Sequence, residues 1–108
     1  MVRIQLEIGE DGTYEIYAKG HANYAERGKD IVCASVSILL YTLIESIDKS
    51  DLSAPPVATF ESGETLVRVK PKKENKGKIC AVFSVVENGL KLLEKNFPEN
   101  VKIVRREG

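Results

Sequence analysis

The sequence predicts an α+β domain, a two-layer sandwich in which two helices pack on one face of a mostly antiparallel sheet, in the order ββαββαβ. Three observations predict it. Apolar and polar residues alternate in two pairs of short segments, each pair joined by a glycine-bearing turn. After each pair the apolar residues recur at helical spacing instead. At 108 residues the chain can bury roughly two thirds of the surface its unfolded form exposes, yet is too short for two cores. Residues 1–108 therefore read as one domain.

Val2, Ile4, Leu6 and Ile8 alternate with Arg3, Gln5 and Glu7, the pattern of a strand with one wet face. Gly9, Glu10, Asp11 and Gly12 turn the chain, and Tyr14, Ile16 and Ala18 alternate with Glu15, Tyr17 and Lys19 in a second strand, so residues 2–19 form a hairpin. From Asp30 the period lengthens: Val32, Val36, Leu39, Leu43 and Ile47 mark a helix over about residues 31–49, with Leu40 and Ile44 widening the stripe. Asp30 stands where an N-cap belongs, and Pro55 with Pro56 bars continuation. The apolar run from Ile31 to Ile44 falls short of the ~20 residues a bilayer requires, and no membrane association is expected.

Val57 to Glu61 and Thr65 to Lys70, joined across Ser62, Gly63 and Glu64, predict a second hairpin. Ile79, Val82, Phe83, Val86, Leu90, Leu93 and Phe97 mark a second helix closed by Pro98, before a short strand around Val101 to Val104. Strands with one apolar face need the helices on that side, which gives the two layers. Cys80 falls at the start of the second helix, on a face with Ser84, Glu87 and Lys91, and reads as a structural or incidental thiol.

Sixteen Lys and Arg balance sixteen Asp and Glu. Zero net charge disfavours a general nucleic-acid binder, which needs a basic excess to release counterions from phosphates. Any RNA contact has to be local. Two cysteines are too few for a disulfide framework, and the alternating first residues do not resemble a leader, so a cytoplasmic location is expected. His21, Cys33 and Cys80 are three ligands where structural zinc takes four, and no metal or cofactor is expected.

The joint between the second strand and the first helix holds the only histidine and one of the two cysteines. A thiol nucleophile needs an imidazole to take and return its proton, and the two need only meet in space. Cys33 falls in the first turn of the helix, where unpaired N–H groups and the dipole favour an anion, a place suited to stabilising an oxyanion as well. An ordinary thiol is mostly protonated at neutral pH, and the dipole supplies only about 0.3 to 1 kcal/mol. His21 is therefore required, either as a resting imidazolium or as a general base at the moment of attack. Asp30 is expected to cap the helix and orient His21. Ser37, one turn beyond Cys33, either bonds the thiol or histidine or back-bonds to a helical carbonyl. Gly20 and Gly28 bracket a seven-residue loop as hinges of a lid or as turn residues.

Gly20, His21, Ala22, then Gly28, Asp30, Ile31, Val32, Cys33, Ala34 and Ser37 resemble the signature of the bacterial ribosomal-processing cysteine proteases, the Prp family. Length and element order agree with that family over the whole chain. The resemblance implies a homodimeric endopeptidase that removes the N-terminal extension of large-subunit ribosomal protein twenty-seven, cutting after aromatic residues and before a small one. Its histidine and cysteine map onto His21 and Cys33. Against that background the basic run Arg68, Lys70, Lys72, Lys73, Lys76 and Lys78 is either a solvated loop or, from Lys70 to Lys78, a contact with ribosomal RNA. The alternative function is a non-catalytic ribosome-associated peptide- or RNA-binding module, which would have no use for the paired His21 and Cys33.

Overall fold

A computed structural model describes residues 1–26 and 28–107. Strands β1 (Val2–Ile8) and β2 (Tyr14–Lys19) form the first hairpin, and helix α1 (Ile31–Asp48) follows. Strands β3 (Val57–Glu61) and β4 (Glu64–Val69) form the second hairpin, and a 3₁₀ turn at Lys73–Asn75 leads into α2 (Lys76–Asn96) and β5 (Val101–Glu107). The ββαββαβ order and the α+β architecture are those expected. The strands make one sheet in the order β3-β4-β2-β1-β5, antiparallel at every junction except β1 with β5. Pairing of β2 with β4 sets Lys19 opposite Glu64, which brings the β3–β4 turn to the end of β2.

The inward residues of the alternating strands are buried as expected: Val2, Ile4 and Leu6, Ile16 and Ala18, Val67 and Val69. They meet Val32, Val36, Leu40, Leu43 and Ile47 of α1 and Ile79, Phe83, Val86 and Leu90 of α2 in one core. Each large side chain so buried contributes about 1.5–3 kcal/mol. The helices approach closely at Gly89, where a Cβ would lie 3.0 Å from Leu39 Cδ2. By length and composition α1 is apolar enough to cross a membrane, but its Val32-to-Ile47 stripe is the roof of this core.

Three details differ from the sequence expectation. Strand β5 runs seven residues because backbone pairing with β1 continues through Arg105 and Arg106, where side-chain alternation gives no sign of it. The β3–β4 turn is only Ser62 and Gly63, since Glu64 already pairs with Glu61. Glu87 is not on a solvent face: it is 9% exposed, because Arg105 reaches over it at 3.0 Å and Lys91 at 3.5 Å. Cys80 is an exposed free thiol.

Candidate active site

At the end of β2 the chain turns at Gly20 with φ +104°, and a Cβ there would run into the Met1 carbonyl oxygen, so only glycine fits. His21 follows, exposed. Its ring rests on the β3–β4 turn: a Cβ placed on Gly63 would lie 2.8 Å from His21 Nε2 and 3.2 Å from Cε1. That turn is held in place by the Gly20 N–H, which donates to the Gly63 carbonyl at 2.8 Å. Gly63, at φ +76°, therefore supplies both the turn conformation and a flat seat for the imidazole.

Cys33 is the third residue of α1 and is partly buried. Asp30 caps the helix: Oδ1 accepts from the Val32 and Cys33 N–H groups, each at 3.0 Å. Its Oδ2 accepts from the Tyr24 N–H at 2.9 Å and the Ala25 N–H at 3.3 Å. One carboxylate thus fixes both the helix start and the loop before it. Desolvation pushes the Asp30 carboxyl up, but the four N–H groups of Cys33, Tyr24, Ala25 and Val32 outweigh it and hold the group below its ordinary value of 3.8. Among the described residues Asp30 makes no hydrogen bond to His21; its partners are the helix start and the loop residues Tyr24 and Ala25. The cap has a second consequence. The Val32 and Cys33 N–H groups that the helix start seemed to offer an oxyanion are already committed to Asp30 Oδ1.

Ala22 bridges the two candidate residues. It is fully buried, its N–H donates to Cys33 Sγ at 3.3 Å, and its carbonyl accepts from Asn100 Nδ2 at 2.8 Å. Tyr24 packs edge-on against Phe97 at 5.1 Å. The loop is therefore tied at Ala22, Tyr24 and Ala25. Gly28 has φ +87° with nothing near its Cα face, and Arg27 lies outside the described residues.

These walls enclose a cleft of about 570 Å³ whose lining includes Gly20, His21, Gly28, Asp30, Cys33 and Ser37. All six residues singled out from the sequence meet there. Ser37 is exposed and makes no hydrogen bond to the thiol or the histidine among the described residues; it is Ser35 that bonds back to a helical carbonyl, Ile31 O at 2.7 Å. No hydrogen bond joins the His21 ring to Cys33 Sγ among the described residues, and none of the His, Cys, Asp and Glu side chains described form a cluster suited to a metal. Glu61 and Glu64, on either side of the Ser62–Gly63 turn, are also among the lining residues. Gly63 and Asn100 escaped the sequence reading. Gly63 shows there only as a turn residue, and Asn100 carries no local signal, since it acts on a residue 78 positions away.

The family model described as cysteine protease Prp matches residues 1–102. The ribosomal processing cysteine protease Prp of Mycoplasma pneumoniae is 31% identical over 86 residues, covering 80% of this chain and 81% of that protein. The Staphylococcus aureus protein of the same name is 21% identical over 104 residues, covering 95% of this chain and 97% of its own. A crystal structure of the S. aureus protease with a covalently linked product peptide shares the fold at a TM-score of 0.81 and 20% identity, covering 98% of this chain and all of that one. This chain belongs to the Prp family of ribosomal processing cysteine proteases and is a cysteine endopeptidase.

Proposed function

We propose that the protein removes the N-terminal extension of large-subunit ribosomal protein twenty-seven, with Cys33 as nucleophile and His21 as general base and acid. The observation that carries this reading is the meeting of the only histidine and Cys33 across one cleft, linked through the buried Ala22 backbone. His21 takes the Cys33 S–H proton as sulfur attacks the scissile carbonyl carbon. The proton then passes to the leaving amine, the C–N bond breaks and a thioester remains. Water, deprotonated by His21, hydrolyses the thioester and restores the thiol.

The S. aureus relative has been crystallised with a substrate peptide and with a covalently linked product peptide, which supports a peptide in the corresponding cleft here. Asp30 and Gly63 are positioning residues in this scheme, and Gly20 and Gly28 are the points about which the loop adjusts. The cytoplasm is the compartment in which that substrate is made. A homodimer, carried over from the family resemblance, has an exposed apolar surface to use: Ile38 is 61% exposed and Tyr41, stacked on Phe60 of edge strand β3 at 4.1 Å, is half-exposed.

A non-catalytic binding module is disfavoured by membership in a protease family. The test is a peptide chloromethyl ketone ending in the aromatic residue before the cut, followed by peptide mapping. An adduct on Cys33 that is lost in His21→Ala supports the assignment. An adduct on the exposed Cys80 with Cys33 untouched contradicts it.

A further inference from the structure

Peptide hydrolysis by a thiol needs a donor for the negative charge that develops on the scissile carbonyl oxygen. Backbone donors on both sides of Cys33 are committed to oxygen. The Val32 and Cys33 N–H groups bond Asp30 Oδ1, the Ala34 N–H bonds the Asp30 carbonyl at 3.1 Å, and the Gly20 N–H bonds the Gly63 carbonyl. Tyr24 and Ala25 direct theirs at Asp30 Oδ2. The Ala22 N–H differs, because its acceptor is a sulfur, Cys33 Sγ at 3.3 Å.

A thiol sulfur is a weak acceptor, and Ala22 is fully buried, so bulk water does not make good the difference. A buried N–H with a poor partner gains most when a charged oxygen takes that partner's place, since hydrogen bonds to ionised groups are roughly twice as strong as neutral ones. A contact that is weak in the resting enzyme and strong in the transition state is one that accelerates the reaction. Position agrees. The oxyanion forms on the carbon that bonds to Sγ, next to the atom the Ala22 N–H already reaches. Asn100 holds this donor in place: its Nδ2 donates to the Ala22 carbonyl at 2.8 Å. Asn100 is itself clamped by its backbone, where its N–H donates to the Phe97 carbonyl and its carbonyl accepts from the Val2 N–H, each at 2.9 Å.

We propose that the Ala22 N–H is the oxyanion donor of this protease and that Asn100 is a positioning residue acting through it. The inference rests on the reading of Cys33 as nucleophile. As sulfur bonds to the carbonyl carbon, the C=O π pair moves onto oxygen, and the Ala22 N–H turns from Sγ to that oxygen. When the C=O bond re-forms, the C–N bond breaks, the leaving amine takes the proton from His21 and a thioester remains.

The test replaces the Ala22 N–H with an ester oxygen by chemical ligation, which leaves every side chain in place, and checks the fold by circular dichroism. Loss of one oxyanion donor should lower kcat for the extension peptide about 100- to 1,000-fold. Alkylation by iodoacetamide forms no oxyanion, so labelling of Cys33 should fall by at most about tenfold, the worth of one hydrogen bond. Asn100→Ala should lower kcat by about tenfold, as a slightly misplaced group does, with little change in labelling. In the ester protein it should cost nothing further, because both changes act on one contact. The inference is overturned if the folded ester protein turns over at close to the wild-type rate or if labelling and cleavage fall together. It is equally overturned if Asn100→Ala costs the same in both backgrounds, which would make Asn100 a purely structural residue. If the ester protein does not fold, amide NMR of the wild type decides. The Ala22 N–H resonance should move downfield when a peptide aldehyde ending in phenylalanine bonds Cys33 and should move less in Asn100→Ala, whereas no movement in wild type overturns the proposal. A wild type that neither cuts the peptide nor takes the aldehyde on Cys33 removes the nucleophile assignment, and this inference with it.

Discussion

Replacing Gly63 with alanine separates the seating of His21 from the stability of the fold. The backbone there has φ +76°, a conformation that costs an L-residue about 1–2 kcal/mol, and each 1 kcal/mol lowers Tm by roughly 4–8 °C in a domain of this size. The new Cβ would lie 2.8 Å from His21 Nε2, so the ring has to withdraw by about 0.7 Å to reach an ordinary contact of 3.5 Å. Misplacing a catalytic group by about 1 Å costs on the order of 100-fold in rate. Gly12→Ala is the matched control: its φ is +85°, and the nearest atom to the new Cβ is Lys76 Cε at 3.6 Å, remote from the cleft. Both variants should melt lower by similar amounts. Only Gly63→Ala should lose peptide cleavage, by about 10- to 100-fold in kcat/KM. Wild-type cleavage by a Gly63→Ala protein with the expected lower Tm would refute the seating of His21 on this turn.

Asp30→Asn should keep the helix cap through its carbonyl oxygen but lose the acceptor for Tyr24 and Ala25, so amide hydrogen exchange at those two residues should speed up while α1 stays protected. Because the folded Asp30 titrates below its unfolded value, the stability it contributes is complete above about pH 4 and is lost as pH falls through the folded value. The stability gap between wild type and Asp30→Asn, measured by urea melts, should therefore be constant near neutrality and narrow in acid. Asn100→Ala removes the bond to the Ala22 carbonyl; it should cost about 0.5–1.5 kcal/mol and reduce kcat more than KM in the peptide assay. His21→Ala should abolish cleavage and slow iodoacetamide labelling of Cys33 at neutral pH without changing labelling of Cys80.

Local patterns carried the elements of this fold. Alternation in Val2-to-Ile8 and Tyr14-to-Lys19 and the helical stripe from Val32 to Ile47 report which face is buried, and burial drives the folding. The cap at Asp30 was equally plain, since a carboxylate before an apolar period has a definite physical task. What escaped depends on contacts far apart in sequence. Seating of His21 by Gly63 follows from the β2–β4 pairing, and strand order leaves no mark on composition. Asn100 meets Ala22 because β5 runs parallel to β1 at the sheet edge, a pairing that also lengthens β5 through residues without alternation. Glu87 resembled a solvent-facing residue because the Arg105 that covers it comes from another element. The Val32 and Cys33 N–H groups look free for an oxyanion in the sequence, but Asp30 Oδ1 accepts from both.

The most direct measurement is mass spectrometry of the ribosomal protein carrying its N-terminal extension, incubated with wild-type enzyme, Cys33→Ala and His21→Ala, with circular dichroism of each variant alongside. The assignment of Cys33 and His21 predicts loss of the extension at a single position with wild type, and an intact mass with both folded variants. Processing at the wild-type rate by folded Cys33→Ala would contradict it.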